Sequence, residues 1–133
     1  MSKVVLDASA LLALIHREPG QEIVAEAVVE SVISAVNVAE VIGKLAERGV
    51  PQDRAKAILL SFGVEVVPLD VDIAAKAGQL RPSTRSAGLS LGDRCCLATA
   101  MALGLPTLTA EAAWEPLADI LGVEVRNIRP RGH

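Results

Sequence analysis

The chain has 133 residues, a formal net charge of −3, and a composition that is 51% hydrophobic but only 2% aromatic. This length predicts one domain over residues 1–133 with a sizeable core, and the scarcity of aromatic residues makes that core one of Val, Leu, Ile and Ala. The acidic balance argues against a domain that holds nucleic acid by a broad basic face, although it leaves room for an acidic site that recruits cations to meet phosphate.

Strand-like and helix-like patterns alternate along the chain. The predicted strands are short runs rich in β-branched and aliphatic residues, and the predicted helices have apolar residues at helical spacing between Gly or Pro stop signals. In chain order they are a strand at 4–6, helices at 10–15 and 21–30, a strand at 32–33, a helix from Ser34 or Asn37 to Gly49, a helix at 51–61, a strand at 64–67, a helix from Asp70 or Asp72 to 80, a polar loop at 81–88, a helix at 91–103 capped by Ser90, a strand at 106–109, a helix at 112–121 and a strand at 123–128.

This alternation predicts an α/β sandwich with a mostly parallel sheet. In such a fold, right-handed crossovers bring strand ends and the starts of the following helices to one edge. Asp7 directly follows the first strand, and Glu40 lies in the first turns of the helix after the second. Asp93 lies in the first turn of the helix that leads into the fourth strand, and Glu111 is two residues past Thr109 at that strand's end. We therefore expect four carboxylates at the edge where open α/β folds place their sites.

Each carboxylate also has a purely structural interpretation. Asp7 has the position of a helix N-cap. Glu40 lies three residues after Asn37, and Asp93 has the same spacing from a serine, so both fit a capping box. Glu111 would favour a helix N-terminus through the macrodipole. Caps need not meet in space, however, whereas these four residues are predicted to share one edge.

Several neighbouring carboxylates repel one another unless a counter-charge is present. Mg²⁺ and Mn²⁺ prefer oxygen ligands, and such a centre polarises a phosphoryl oxygen and activates water, which suits phosphodiester hydrolysis. Ser9 is interpreted as a hydroxyl that orients Asp7 or a metal-bound water, with a local helix cap as the alternative.

Other kinds of site are poorly supported. The chain lacks a G-x-G-x-x-G motif after the first strand and a P-loop. His16 and His133 are the only histidines, so neither a zinc site nor a Ser-His triad at Ser9 is expected. A phosphatase of the haloacid-dehalogenase type would need D-x-D after the first strand, where this chain has Asp7-Ala8-Ser9. A phospho-acceptor domain would need an acceptor Asp and a Lys at strand ends, and neither is convincingly placed in this sequence.

Cys95 and Cys96 are adjacent and have no partner elsewhere in the sequence, so we expect reduced thiols packed as small apolar residues. Reduced thiols suggest a reducing compartment. No apolar stretch approaches the roughly 18 residues of a membrane span. We therefore expect a soluble, cytoplasmic protein without a membrane partner.

Four segments together resemble the PIN domain, and within it the VapC-like toxins of type II toxin–antitoxin pairs. They are VVLDASALLAL, NVAEV, GLSLGDRCCLATA and LPTLTAEAAW, and they follow the family's order over nearly the whole chain. The resemblance implies a Rossmann-like three-layer sandwich with a five-stranded sheet in the order 3-2-1-4-5. It also implies Mg²⁺- or Mn²⁺-dependent cleavage of RNA, homodimerisation, and inhibition by a cognate antitoxin.

By position, Asp7, Glu40 and Asp93 match the acidic metal-site residues of that family. Glu111 stands where the family commonly has Asp in a T-x-D pattern, and Thr109 and Ser9 match supporting polar positions. The prediction is a metal-dependent endoribonuclease toxin with Asp7, Glu40, Asp93 and Glu111 as catalytic and metal-binding residues. The departure at Glu111 motivates the alternative, a non-catalytic PIN-like module that binds RNA or a protein.

Overall fold

A five-stranded sheet forms the centre of the computed structural model, which describes residues 3–129. The strands are β1 (Val4–Leu6), β2 (Ser31–Ser34), β3 (Glu65–Val67), β4 (Thr107–Thr109) and β5 (Val125–Asn127). Their order is β3-β2-β1-β4-β5, and all four neighbouring pairs are parallel. The predicted α/β class and the strand order implied by the family resemblance are both confirmed.

Helices connect the strands and cover the sheet. They are α1 (Ala8–Ile15), α2 (Gln21–Ala27), α3 (Ala35–Glu47), α4 (Gln52–Ser61), α5 (Val71–Gln79), α6 (Arg81–Thr84), α7 (Leu91–Leu103) and α8 (Ala118–Leu121), with 3₁₀ turns at Val28–Glu30 and Ala112–Leu117. The bounds of α7 match the prediction because Ser90 caps its start and Gly104, in a left-handed conformation, ends it.

The core has two parts, one on each face of the sheet. Strand β1 shows why, since its three residues are all buried and alternate in direction. Val4 and Leu6 pack with residues of α1 to α4, whereas Val5 packs with residues of α5 and α7 and with Trp114. A central strand buried on both faces must be apolar throughout, which explains the continuous run before Asp7.

Three predicted elements differ from the structure. The predicted loop at 81–88 begins with the helical turn α6, whose Thr84 is buried and donates its hydroxyl to the Leu80 carbonyl at 2.8 Å. The predicted helix at 112–121 begins as a 3₁₀ turn that contains Pro116, which has no N–H for an α-helical bond. The predicted helix at 21–30 ends in a 3₁₀ turn after residue 27.

Both cysteines are free and buried against the sheet. Burial raises the pKa of the Cys96 thiol well above its ordinary value, so this side chain behaves as a small apolar residue. In the part of the chain that the structure describes, we find no helix with both the length and the apolar character needed to span a membrane. Arg131, in the arginine-containing tail, and His133 lie outside the described residues.

Candidate active site at the carboxyl edge of the sheet

The four carboxylates predicted at one edge line a single cavity of about 300 Å³. It lies where β1 and β4 end and where α1, α3 and α7 begin. Its lining residues are Asp7, Ala8, Ser9, Leu12, Glu40, Lys44, Ser90, Asp93 and Glu111. Residues more than 100 positions apart in the sequence therefore face the same small space, which we call the acidic cavity.

Asp7 is the most deeply buried of these acids, with only 2% of its surface exposed. It caps α1, since one carboxylate oxygen accepts the N–H of Ala10 at 2.8 Å. The other oxygen accepts the Thr109 hydroxyl at 2.7 Å, and the Ser9 hydroxyl lies 2.8 and 2.9 Å from the two oxygens. The cap interpretation of Asp7 was therefore correct, but capping does not account for the two added hydroxyls.

Burial raises the pKa of Asp7 from about 3.8 to about 6. The hydrogen bonds from Thr109, Ala10 and Ser9 stabilise the carboxylate and oppose this shift, whereas the negative charge of Asp93 adds to it. Burial has the largest effect. Asp7 is thus a buried carboxylate that hydrogen bonds from its neighbours hold in place.

Two backbone N–H groups orient the hydroxyls around Asp7. The N–H of Ala110 donates to the Ser9 hydroxyl oxygen at 2.9 Å, and the N–H of Glu111 donates to the Thr109 hydroxyl oxygen at 2.9 Å. Because each hydroxyl oxygen already accepts a bond, its own proton is directed toward Asp7. These bonds tie the end of β1 to the end of β4 and place Ser9 and Thr109 as supports of the carboxylate.

Glu40 is held by a residue whose role the sequence did not reveal. Asn37 was a candidate cap for α3, but Ser34 caps that helix by accepting the N–H of Val36. Asn37 is instead buried, and its amide donates to the Glu40 carboxylate at 2.6 Å and to the Gly92 carbonyl at 3.1 Å. The capping-box interpretation of Glu40 was therefore wrong, because its partner is the Asn37 side chain.

Gly92 is the second residue that the sequence did not reveal. It lies in the first turn of α7, and a Cβ atom there would overlap the Glu40 carboxyl group. The side-chain amide oxygen of Asn37, Oδ1, is the one buried side-chain nitrogen or oxygen atom among residues 3–129 that has no hydrogen-bond partner. The spacing of three between Asn37 and Glu40 was the available signal, since it puts both on one face of a helix.

Asp93 and Glu111 complete the acidic lining. Asp93 forms a reciprocal capping box with Ser90, with bonds of 2.9 and 3.1 Å, so this alternative was correct. Its half-buried side chain nevertheless lines the acidic cavity. Glu111 is exposed, and its side chain makes no cap bond to the 3₁₀ turn that follows. Lys44, one turn along α3 from Glu40, brings a positive charge to the cavity.

The donor set has the right chemistry for a hard divalent cation, because it offers carboxylate oxygens and no sulfur or imidazole. Within residues 3–129, however, no three His, Cys, Asp or Glu side chains already form a group that holds a metal ion as it stands. Donors from the protein engage the carboxylates of Asp7, Glu40 and Asp93. An ionised carboxylate has about four lone pairs, so these bonds leave others on all three side chains for a cation.

Comparisons with known proteins bear on the family of the chain and on its fold. The model of the PIN domain family matches residues 4–119. Similar solved structures include a toxin–antitoxin complex from Klebsiella pneumoniae (TM-score 0.71, 23% identity, covering 94% of this chain and 97% of that chain). DNA-bound VapBC from Salmonella typhimurium has a TM-score of 0.70 at 22% identity, covering 96% and 99%. FitAcB from Neisseria gonorrhoeae has a TM-score of 0.68 at 23% identity, covering 94% and 97%.

At these identities the structural neighbours demonstrate a common fold. A comparison with curated proteins finds no matching sequence. The family model carries more weight, because it spans β1, β4 and every carboxylate of the acidic cavity. The match over residues 4–119 means that the chain belongs to the PIN domain family.

Proposed function

We propose that the chain is a metal-dependent endoribonuclease of the VapC type, a toxin that hydrolyses RNA phosphodiester bonds and is held inactive by a cognate antitoxin. The observation that carries the proposal is the acidic cavity, in which Asp7, Glu40, Asp93 and Glu111 meet at the carboxyl edge of the sheet. Membership of the PIN domain family supports it. Similar solved structures are toxin–antitoxin complexes, which supports an antitoxin as partner.

Asp7, Glu40 and Asp93 would hold Mg²⁺ or Mn²⁺, with Glu111 as a further ligand. The bound cation supplies Lewis-acid polarisation of a phosphoryl oxygen and lowers the pKa of water. Ser9 and Thr109 keep the Asp7 carboxylate oriented and favour its ionised form. Asn37 holds Glu40 against Gly92, and this fixes where the second carboxylate can act.

The remaining parts of the proposal concern assembly and location. We infer that the protein forms a homodimer and that a cognate antitoxin binds it and keeps it inactive. We place the protein in the cytoplasm as a single domain over residues 1–133. RNA substrate is present there, and the two buried thiols are free.

Cleavage of total RNA by purified, antitoxin-free protein tests the proposal. Activity with Mg²⁺ or Mn²⁺ should disappear with EDTA and in Asp93→Asn. The matched control is Asp70→Asn, because Asp70 also caps a helix but does not line the acidic cavity. RNA cleavage that persists both in EDTA and in Asp93→Asn would contradict this mechanism.

A second candidate is a non-catalytic PIN-like module that binds RNA or a protein. The observation in its favour is that the described carboxylates are engaged by protein donors and no three form a ready ligand group. Titration with Mn²⁺ separates the two candidates. Saturable binding that Asp7→Asn abolishes favours the nuclease, whereas a folded protein without such binding favours the module.

A further inference from the structure

A second polar cavity lies beside the acidic one and has the opposite charge. Its volume is about 410 Å³, and its lining residues are Arg81, Thr84, Arg85, Gly88, Leu89 and Arg94. Three of these six residues carry a guanidinium group and none carries a carboxylate. We call it the arginine pocket.

The local fold holds the arginine pocket together. Helix α6 carries Arg81, and its buried Thr84 is anchored by a hydroxyl bond to the Leu80 carbonyl. Gly88, at a φ of +71°, turns the chain back toward α7. Arg94 is half-buried and donates from Nη1 to the Ala77 carbonyl at 3.1 Å. Its guanidinium is therefore fixed before any ligand arrives.

In the described part of the protein, none of the three guanidinium groups forms an ion pair. The ion pairs found among residues 3–129 are Lys3–Glu65, Arg126–Glu124 and Arg129–Glu18, and none of them reaches the arginine pocket. A guanidinium has five N–H donors, and one bond to Ala77 leaves most of those on Arg94 available. Grouped cations without anions repel one another, so a bound anion would relieve this repulsion.

The position of the pocket identifies the anion. The first turn of α7 separates the two cavities, since Leu89 and Arg94 line the arginine pocket. Ser90 and Asp93, their immediate neighbours, line the acidic cavity. A ligand that carries phosphates at regular intervals would meet both sides of this turn at once. The planar arginine fork also matches a phosphate with two parallel hydrogen bonds.

We propose that Arg81, Arg85 and Arg94 bind a backbone phosphate of the RNA strand, next to the phosphodiester bond held in the acidic cavity. This inference rests on the proposed ribonuclease function. An acidic protein segment would present similar charge, but it has no reason to continue into a cavity lined by four carboxylates. The contacts are with phosphate alone, so they position the strand and do not select a base.

The test measures binding of a fluorescein-labelled oligoribonucleotide by anisotropy in EDTA, where no metal-dependent cleavage intervenes. The double variant Arg81→Ala/Arg85→Ala changes two exposed residues. We expect it to bind at least about fivefold more weakly at low salt. The plot of log affinity against log salt has a negative slope, and its magnitude should decrease by about 0.7 for the lost phosphate contact. The control is Arg54→Ala, an exposed arginine on α4 outside both cavities, which should bind like the unsubstituted protein.

The conservative variant Arg81→Lys/Arg85→Lys retains charge but loses the planar fork. It should bind RNA more weakly than the unsubstituted protein while keeping most of the salt slope, and it serves if the alanine variant fails to fold. Equal RNA affinity in the unsubstituted and lysine or alanine variants would overturn the inference. An equal loss of RNA affinity in Arg54→Ala would also overturn it. So would arginine-pocket variants that bind RNA normally but lose binding to a labelled polyglutamate peptide.

Failure of the inference is distinguishable from failure of the proposed function. If the unsubstituted protein cleaves RNA with Mg²⁺ but the arginine variants bind RNA normally, the nuclease stands and the arginine pocket is not its phosphate site. If the protein never cleaves RNA but the arginine variants lose binding and salt slope, the phosphate site stands and the nuclease proposal fails.

Discussion

Asp7→Asn should change the unfolding free energy of the metal-free protein in a pH-dependent way. The stability of the variant relative to the unsubstituted chain should increase as the pH rises from about 4 to about 7. Burial raises the pKa of Asp7 from about 3.8 to about 6, so the folded state retains a proton on this carboxyl that the unfolded state has lost. Stability falls with pH wherever the folded state binds more protons. The contribution of Asp7 is therefore fully present below pH 3.8 and is lost as the pH rises through 6. Asparagine is neutral throughout and escapes this loss.

The size of the effect follows from the two pKa values. A tenfold change in proton affinity corresponds to about 1.4 kcal/mol, so the difference between 3.8 and about 6 amounts to roughly 3 kcal/mol. Asparagine retains the bond from Ala10 but does not accept both hydroxyls as the carboxylate does. This costs about 1 kcal/mol for each lost bond at every pH. The pH-dependent part of the difference is consequently the clean quantity to measure.

Urea unfolding in EDTA at several pH values measures it. The unfolding free energy of Asp7→Asn minus that of the unsubstituted protein should increase by about 2.4 kcal/mol between pH 4 and pH 7, because the rest of the roughly 3 kcal/mol is lost below pH 4. Asp70→Asn is the matched control, because Asp70 also caps a helix but is exposed. A difference for Asp7→Asn that stays constant over this range would refute the reasoning that burial destabilises the Asp7 anion.

Three further substitutions test single contacts, two of them at the acidic cavity and one, at Gly20, away from it. Gly92→Ala should leave the urea midpoint unchanged or slightly raised, because alanine favours a helix, yet it should lower RNA cleavage about 100-fold by displacing the Glu40 carboxyl; normal cleavage would contradict this. Gly20→Ala should lower the unfolding free energy by about 2 kcal/mol or more, because φ is +93° and the new Cβ would meet the backbone that follows β5. An unchanged urea midpoint would contradict this expected strain. Thr109→Val removes the 2.7 Å bond to Asp7 and should raise the pKa of that carboxyl further, whereas Thr109→Ser should not; NMR titration in EDTA compares them, and identical titrations would exclude the bond as a cause.

Prediction from sequence succeeded where a signal is contained within a few residues. The run before Asp7 predicted a strand followed by a cap, and Ser90 with Asp93 predicted a capping box at the correct residues. The same reasoning failed at α6. A four-residue helical turn has too few positions to show periodicity, and it is fixed by the buried hydroxyl of Thr84.

The contacts that tie Glu40 and Asn37 to α7 were beyond the reach of sequence patterns, although the spacing of three put both residues on one helix face. Asn37 looks like a helix cap from its local spacing, but its amide bonds to a carbonyl 55 residues away. Gly92 looks like an ordinary helix residue until the Glu40 carboxyl is placed against it. Neither contact leaves a periodic trace in the chain, because it depends on how α3 and α7 pack.

By itself, the sequence determined the order of the strands and helices along the chain and the four acids that share one edge. Hydrophobic period and cap chemistry act over a few residues, and both can be read along the chain. Only the tertiary structure decided which donors hold each carboxylate, how deeply Asp7 is buried, and that an arginine pocket adjoins the acidic cavity. These properties arise from contacts between segments that are distant in the chain, and burial and charge have no meaning until those segments meet.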